Sequence, residues 1–257
     1  LQAPDSMVTR FEGDQPWLHQ DDPTYKAMVH AMDRSVGRVV EKLKELGEYE
    51  ETVIVFKSDN GGLGGYPSAG VTGSIAVTDN HPLKGGKGQL YEGGIRVPMF
   101  VVWPDVVEPG TVSEEPVMGT DLYPTFLEIA GVEPPEDQPL DGKSLMPLLE
   151  QEGSFEREAL YWHFPAYLQA YGRKGLRTPP AAAMRKGDWK LIWFMAEDRL
   201  ELYDLEANIG EVNNLADERP EKAEALYREL RDWIDEVGGP IPEPNPAFDR
   251  SAYFSEM

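Results

Sequence analysis

The strongest constraint on the fold is one juxtaposition. A long amphipathic helix is followed at once by a short, continuously apolar strand. Asp22-Pro23 reads as a helix start, with Asp as N-cap and Pro at the first helical position. Met28, Met32, Val36, Val39, Val40, Leu43 and Leu46 then recur three or four residues apart, with Val39 and Val40 adjacent. That spacing predicts a single apolar face, closed by Gly47. Thr52 to Phe56 is apolar or β-branched throughout, the pattern of a strand buried on both faces of a parallel sheet. Met99 to Trp103 has the same character. Asp121 to Gly131 reads as a helix with an N-cap, an early Pro and a terminal Gly, and a short helix is expected around Ser144 to Leu149. Helices alternating with buried strands over the first 150 residues are the pattern of an α/β fold with a mainly parallel sheet.

The texture changes after Glu150. "ALYWHF", "AAAMRKGDWKLIWFM" and "LELYDL" are strand-like, and Lys186-Gly187-Asp188 breaks the second as a hairpin would. A last amphipathic helix is predicted from about Pro220 to Val237, with Ala223, Leu226, Leu230, Trp233 and Ile234 on one face. Residues 1–151 are therefore expected to form α/β core and residues 152–257 a small α+β subdomain, an antiparallel sheet with one packed helix. The tail "GGPIPEPNPAF" is Pro-rich and reads as extended.

Composition excludes several functions. The 257 residues carry a formal charge of −22, which argues against nonspecific nucleic-acid binding. No apolar run approaches the roughly 20 residues of a membrane span. Cysteine is absent, so disulfides, thiolate metal sites and cysteine nucleophiles are excluded within these residues. The start "LQAPDSM" has neither an initiator Met nor a signal peptide, and Leu1 reads as an internal position of a longer protein.

In an open α/β sheet, ligands bind at the carboxyl ends of the strands. Asp59 and Asn60 sit at such an end, before Gly61-Gly62. A carboxylate beside an amide supplies hard oxygen ligands, suited to Ca²⁺ or Mg²⁺. Asp-Asn-Gly also satisfies an ordinary turn, and on the residues alone both readings stand. The following loop, "HPLKGGKGQLYEGGIRVP", holds Lys84, Lys87 and Arg96. It lacks the Ser or Thr of a P-loop. A tetrahedral oxyanion is the natural partner of Lys87, a point charge; a solvated surface loop is the alternative. Glu92 and Arg96, four apart, are expected to form a structural ion pair.

Several motifs in one order resemble a known family. "YKAMVHAMDRSVGRVVEKLKELG", "TVIVFKSDNGG", "PLKGGKGQLYEGGIRVPMFVVWP", "DLYPTFLEIAG", "DGKSLMPLL" and "GDWKLI…ELYDL" are similar to the C-terminal half of a type I sulfatase of the arylsulfatase family. The resemblance covers nearly the whole chain. It implies an alkaline-phosphatase-like α/β core, a small C-terminal antiparallel subdomain, and hydrolysis of sulfuric esters of an alcohol, aryl group or sugar. It further implies Asp59 and Asn60 as ligands of Ca²⁺ rather than Mg²⁺, Lys87 on the sulfate group, and Lys84 as a basic position of the same loop. His163 in "YWHFP" resembles a histidine near the substrate entrance in some members, and a core histidine is the alternative. Gly93-Gly94 and Arg96 match a signature taken as architectural.

The departures are as informative. The family's nucleophile is a formylglycine made from Cys or Ser in a C/S-x-P-x-R string, which these residues do not contain. The paired aspartates that open the metal site are missing too. The expected partners are therefore a sulfated small molecule or glycan, and a missing N-terminal half or another chain along the sheet edge. The family points to a periplasmic or extracellular location. Two alternatives remain: another phosphate- or phosphonate-ester hydrolase of the same superfamily, and an inactive fragment that acts as a binding module.

Overall fold

The computed structural model describes residues 1–14, 20–71, 76–169, 176–243 and 245–247. In chain order the elements are α1 (Asp5–Val8), α2 (Pro23–Leu46), β1 (Ile54–Lys57), α3 (Glu92–Ile95), β2 (Met99–Val102), α4 (Leu122–Ile129), α5 (Met146–Glu150), β3 (Leu160–Phe164), β4 (Leu168–Gln169), β5 (Leu176–Thr178), β6 (Ala181–Lys186), β7 (Trp189–Phe194), β8 (Arg199–Asp204) and α6 (Pro220–Glu236), with short 3₁₀ turns between some of them. Two compact units result, and neither is one continuous stretch. One comprises Leu1–Asp33, Ser58–Val97 and Tyr161–Met257; the other comprises Arg34–Lys57 and Pro98–Leu160.

The first unit is organised on a four-stranded sheet in the order β3-β6-β7-β8. Strands β6 and β7 are joined at Gly187 and pair antiparallel from Lys186↔Trp189 to Ala181↔Phe194; β7 pairs antiparallel with β8. Both faces of this sheet are covered, which is why its strands read as apolar runs rather than as alternation. On one face Ala181, Ala183, Ile192, Phe194 and Tyr203 form a core with Tyr91 and Leu205. On the other lies α6, whose buried stripe is Ala223, Leu226, Leu230 and Ile234. Trp193 meets Tyr227 of α6 edge-on at 5.2 Å. The expected hairpin, sheet and packed helix are all present.

The second unit corrects one expectation. The apolar strands β1 and β2 pair with each other, and they run antiparallel, from Ile54↔Val102 to Lys57↔Met99. They form a two-stranded sheet, and no parallel core is seen among the described residues. A continuous apolar run reports that both faces are apolar and is silent on direction. Nor are the strands fully buried: Phe100 is 52% exposed, and its ring stacks on Phe56 at 4.8 Å. The helix α4 is pinned by Asp121, a wholly buried carboxylate that accepts the N–H of Met118 and of Lys143 and pairs with Arg157 at 2.6 Å.

Helix α2 begins where Asp22 accepts the N–H of Tyr25 at 2.9 Å and is followed by Gly47 in the left-handed region. The helix is as the sequence predicts. Its apolar face is only partly covered by the described residues, however: Met28, Val29, Met32, Val39 and Leu46 are exposed, Val36, Val40 and Leu43 are half-buried, and Ala27 is its buried residue.

Candidate active site

The segment after β1 and the glycine-rich loop are brought together backbone to backbone. Gly61 donates to the carbonyl of Gly94 at 3.0 Å, and a Cβ at Gly61 would overlap the carbonyl of Gly93. Lys87 donates its N–H to the carbonyl of Gly62 at 3.0 Å. A Cβ at Gly86 would overlap the carbonyl of Gly64. Glycine is used here because no side chain fits between the two main chains.

Asn80 is the hub of this contact. Its Oδ1 accepts the N–H of Gly62 at 3.0 Å, and its Nδ2 donates to Gly85 at 2.9 Å, Gly62 at 3.2 Å and Gly64 at 3.3 Å. Sequence reasoning missed this residue. A single Asn before His81-Pro82 looks like turn chemistry, and its partners are scattered over two loops. The same holds for Gln89, which accepts the N–H of Gly86 and donates to the carbonyl of Arg177.

The predicted site residues are disposed as follows. Asp59 is exposed, and its carboxylate makes no hydrogen bond or ion pair with another described residue. Asn60 is half-buried and donates its amide to the carbonyl of Gly61 at 2.9 Å. Lys87 is half-buried, and its ammonium has no hydrogen bond or ion pair among the described residues. Asp59, Asn60 and Lys87 thus flank one glycine-packed junction. No group of three or more His, Cys, Asp or Glu gathers as a metal cluster among the described residues.

Lys84 has a different environment. Its ammonium donates to the Tyr203 hydroxyl at 3.1 Å and the carbonyl of Glu211 at 3.2 Å, and lies over the rings of Tyr91 and Tyr203 at 4.2 and 5.2 Å. Burial pulls its pKa down, against the opposing pull of Glu201 and Glu211. The Tyr91 and Tyr203 hydroxyls both donate to Glu201 Oε2, at 2.8 and 2.6 Å. Burial, with the Glu201 charge, pushes both phenols up. This ammonium is engaged inside the face of the C-terminal sheet. His163, on β3, bonds its Nε2 to the carbonyl of Pro240 at 2.9 Å, so that nitrogen carries the proton.

Beneath the loop lies a buried charge cluster. Lys190, fully buried on β7, contacts Glu92 and Glu211, each at 2.8 Å. Glu211 also accepts the N–H of Glu92 at 2.7 Å, and Arg96 pairs with Glu92 at 3.5 Å, the ion pair expected from the sequence. The two carboxylates compete for one ammonium, and their environments separate them. Desolvation pushes Glu211 up beyond what Lys190 offsets. Glu92 feels desolvation as well, but Lys190, helped by Arg185 and Arg96, pulls it below its ordinary value.

Comparison with known proteins gives the family. Residues 1–132 match the sulfatase family model, and residues 86–238 match that of the N-sulphoglucosamine sulphohydrolase C-terminal region. The chain belongs to the sulfatase family. It is 34% identical over 239 residues to a sulfatase of Formosa agariphila, covering 84% of this chain and 40% of that protein. The crystal structure of Ps i-CgsB in complex with k-i-k-neocarrahexaose superimposes with a TM-score of 0.71 at 34% identity, over 90% of this chain and 46% of that one. BT4656 in complex with its substrate D-glucosamine-2-N,6-O-disulfate gives 0.64 at 32% identity, over 83% and 40%. The chain spans less than half the length of each of these relatives.

Proposed function

We propose that these residues are the C-terminal half of a sulfuric ester hydrolase that releases inorganic sulfate from a sulfated sugar or related alcohol. The reading is carried by the Lys87 N–H bond to Gly62. It holds the main chain of Lys87 next to the turn that carries Asp59 and Asn60. An exposed carboxylate with no partner among the described residues and a neighbouring amide are hard donors that fit Ca²⁺, and Asp59 and Asn60 would hold it. When bound, the ion neutralises negative charge on the sulfate group. Two side chains do not fill a coordination shell of six to eight oxygens, so further ligands come from a part of the protein outside these residues. The same part would supply the formylglycine, whose hydrated aldehyde is the family's nucleophile. By itself the chain is expected to be inactive.

The role of these residues is to bind and orient. Lys87 would place a positive charge against the sulfate group and offset the charge that group carries in the transition state. Lys84 enters as the anchor that ties the loop to the C-terminal sheet. His163 would act near the substrate entrance, held by its bond to the carbonyl of Pro240. The uncovered apolar residues of α2 and β2 suit contact with the N-terminal half, whose strands would extend the β1–β2 pair. No helix among the described residues is long and apolar enough to cross a membrane. The proposed location is periplasmic or extracellular, as for an exported glycan-degrading enzyme.

The test is Lys87→Ala in the complete enzyme. A fall in kcat for 4-nitrophenyl sulfate of about 10²–10³, with the fold intact, is expected from loss of one such donor. An unchanged kcat would remove Lys87 from the site.

A further inference from the structure

Lys87 is gripped at both of its main-chain groups, by distant parts of the chain. Its N–H is bound to Gly62, as described. Its carbonyl accepts from Arg177 Nη1 at 3.0 Å and from the Tyr66 hydroxyl at 3.2 Å. Arg177 lies on β5, 90 positions later, and is only 3% exposed. Arg177 Nη1 also reaches the Tyr66 hydroxyl at 3.3 Å, and its guanidinium sits over the Tyr66 ring at 5.8 Å. The main chain of Arg177 is latched in turn, because Gln89 donates to its carbonyl at 3.0 Å. The next residue after Lys87, Gly88, has φ of +88°, and a Cβ there would run into the Leu168 side chain. The peptide that leaves Lys87 is therefore fixed by a buried guanidinium, a phenol and a glycine-only turn. The ammonium itself, by contrast, makes no hydrogen bond or ion pair with the described residues. The bonds to its N–H and its carbonyl fix the point from which that side chain starts.

We propose that Arg177 is a positioning residue for Lys87. It acts through the Lys87 carbonyl and makes strand β5 part of the sulfate-binding apparatus. The inference rests on the reading of Lys87 as the sulfate contact. Burying a guanidinium is costly, and here it bonds to the main chain of the residue whose aim matters. A misplacement of about 1 Å at a reacting group costs up to about 10²-fold in rate.

A double-mutant cycle in the complete enzyme tests this. Arg177→Met is expected to lower kcat about 10- to 100-fold, with KM much less affected. In a Lys87→Ala background the same substitution should change kcat less than about twofold, because the group it aims is gone. Arg177→Lys, which keeps a donor toward the same carbonyl, should recover part of the loss. Should Arg177→Met fail to fold, Tyr66→Phe removes the second donor and is read in the same cycle. A smaller kcat loss that vanishes with Lys87→Ala is then expected. An equal loss in both backgrounds, or none in either, would overturn the role of Arg177 while leaving Lys87 in place. A Lys87→Ala enzyme with normal kcat would overturn the underlying reading and this inference with it.

Discussion

The strands β6 and β7 and the strands β1 and β2 are similarly apolar, yet they come to rest in different conditions. "AAAM" and "LIWF" are buried almost completely, because Tyr91 and its neighbours cover one face of their sheet and α6 the other. "IVF" and "MFVV" form a two-stranded pair that is half exposed, with Phe100 open to solvent. The difference teaches that apolar content sets what a strand needs, while the rest of the chain decides whether it is met. The region that closes its own core is also the one that grips the Lys87 loop, through Lys84, Arg177 and the Lys190 cluster.

The sharpest way to break the contrast is at Lys190. Lys190→Met would leave Glu92 and Glu211 buried without their shared cation. Loss of one partner of a buried pair typically costs about 3–5 kcal/mol. Chemical denaturation should show that loss, and a loss below about 1 kcal/mol would mean that water reaches the cluster. A paired truncation comes next. Leu230→Ala, at a fully buried position of α6, should cost about 2–5 kcal/mol. Phe100→Ala in the same chain should cost far less, because its ring is already half in water. Equal losses would erase the distinction between the two regions. The smallest effect expected is in acid. The folded-state pKa of Glu92 lies below its ordinary 4.5. Its contribution to stability is therefore present above about pH 4.5 and is lost as pH falls through the folded value. Glu92→Gln should flatten that part of the acid limb in a stability–pH series; an unchanged slope would show that Lys190 does not hold Glu92 ionised.

Much of this was legible beforehand. Asp22 and Gly47 bound α2, the Lys186-Gly187-Asp188 break gives the β6–β7 hairpin, and the stripe of α6 is buried as its spacing requires. Glu92 and Arg96 pair as four-apart charges do. Strand direction was not legible, because β1 and β2 carry no mark of which way their neighbour runs. Asn80, Gln89 and Arg177 were not legible either. Each also bonds a distant segment, 18 residues away for Asn80, 88 for Gln89 and 90 for Arg177, which local spacing does not show. The sequence set Lys87 apart from Lys84 as the expected oxyanion partner but did not show where Lys84 goes; Tyr91 and Tyr203 draw its ammonium inward.

Hydrogen exchange on the 257-residue chain, combined with sedimentation, tests the central contrast most directly. The amides of β6, β7 and α6 should be strongly protected, while those of β1 and β2 exchange early and the chain associates through its uncovered apolar surface. A stable monomer in which residues 54–57 are protected as strongly as residues 181–194 would contradict the account.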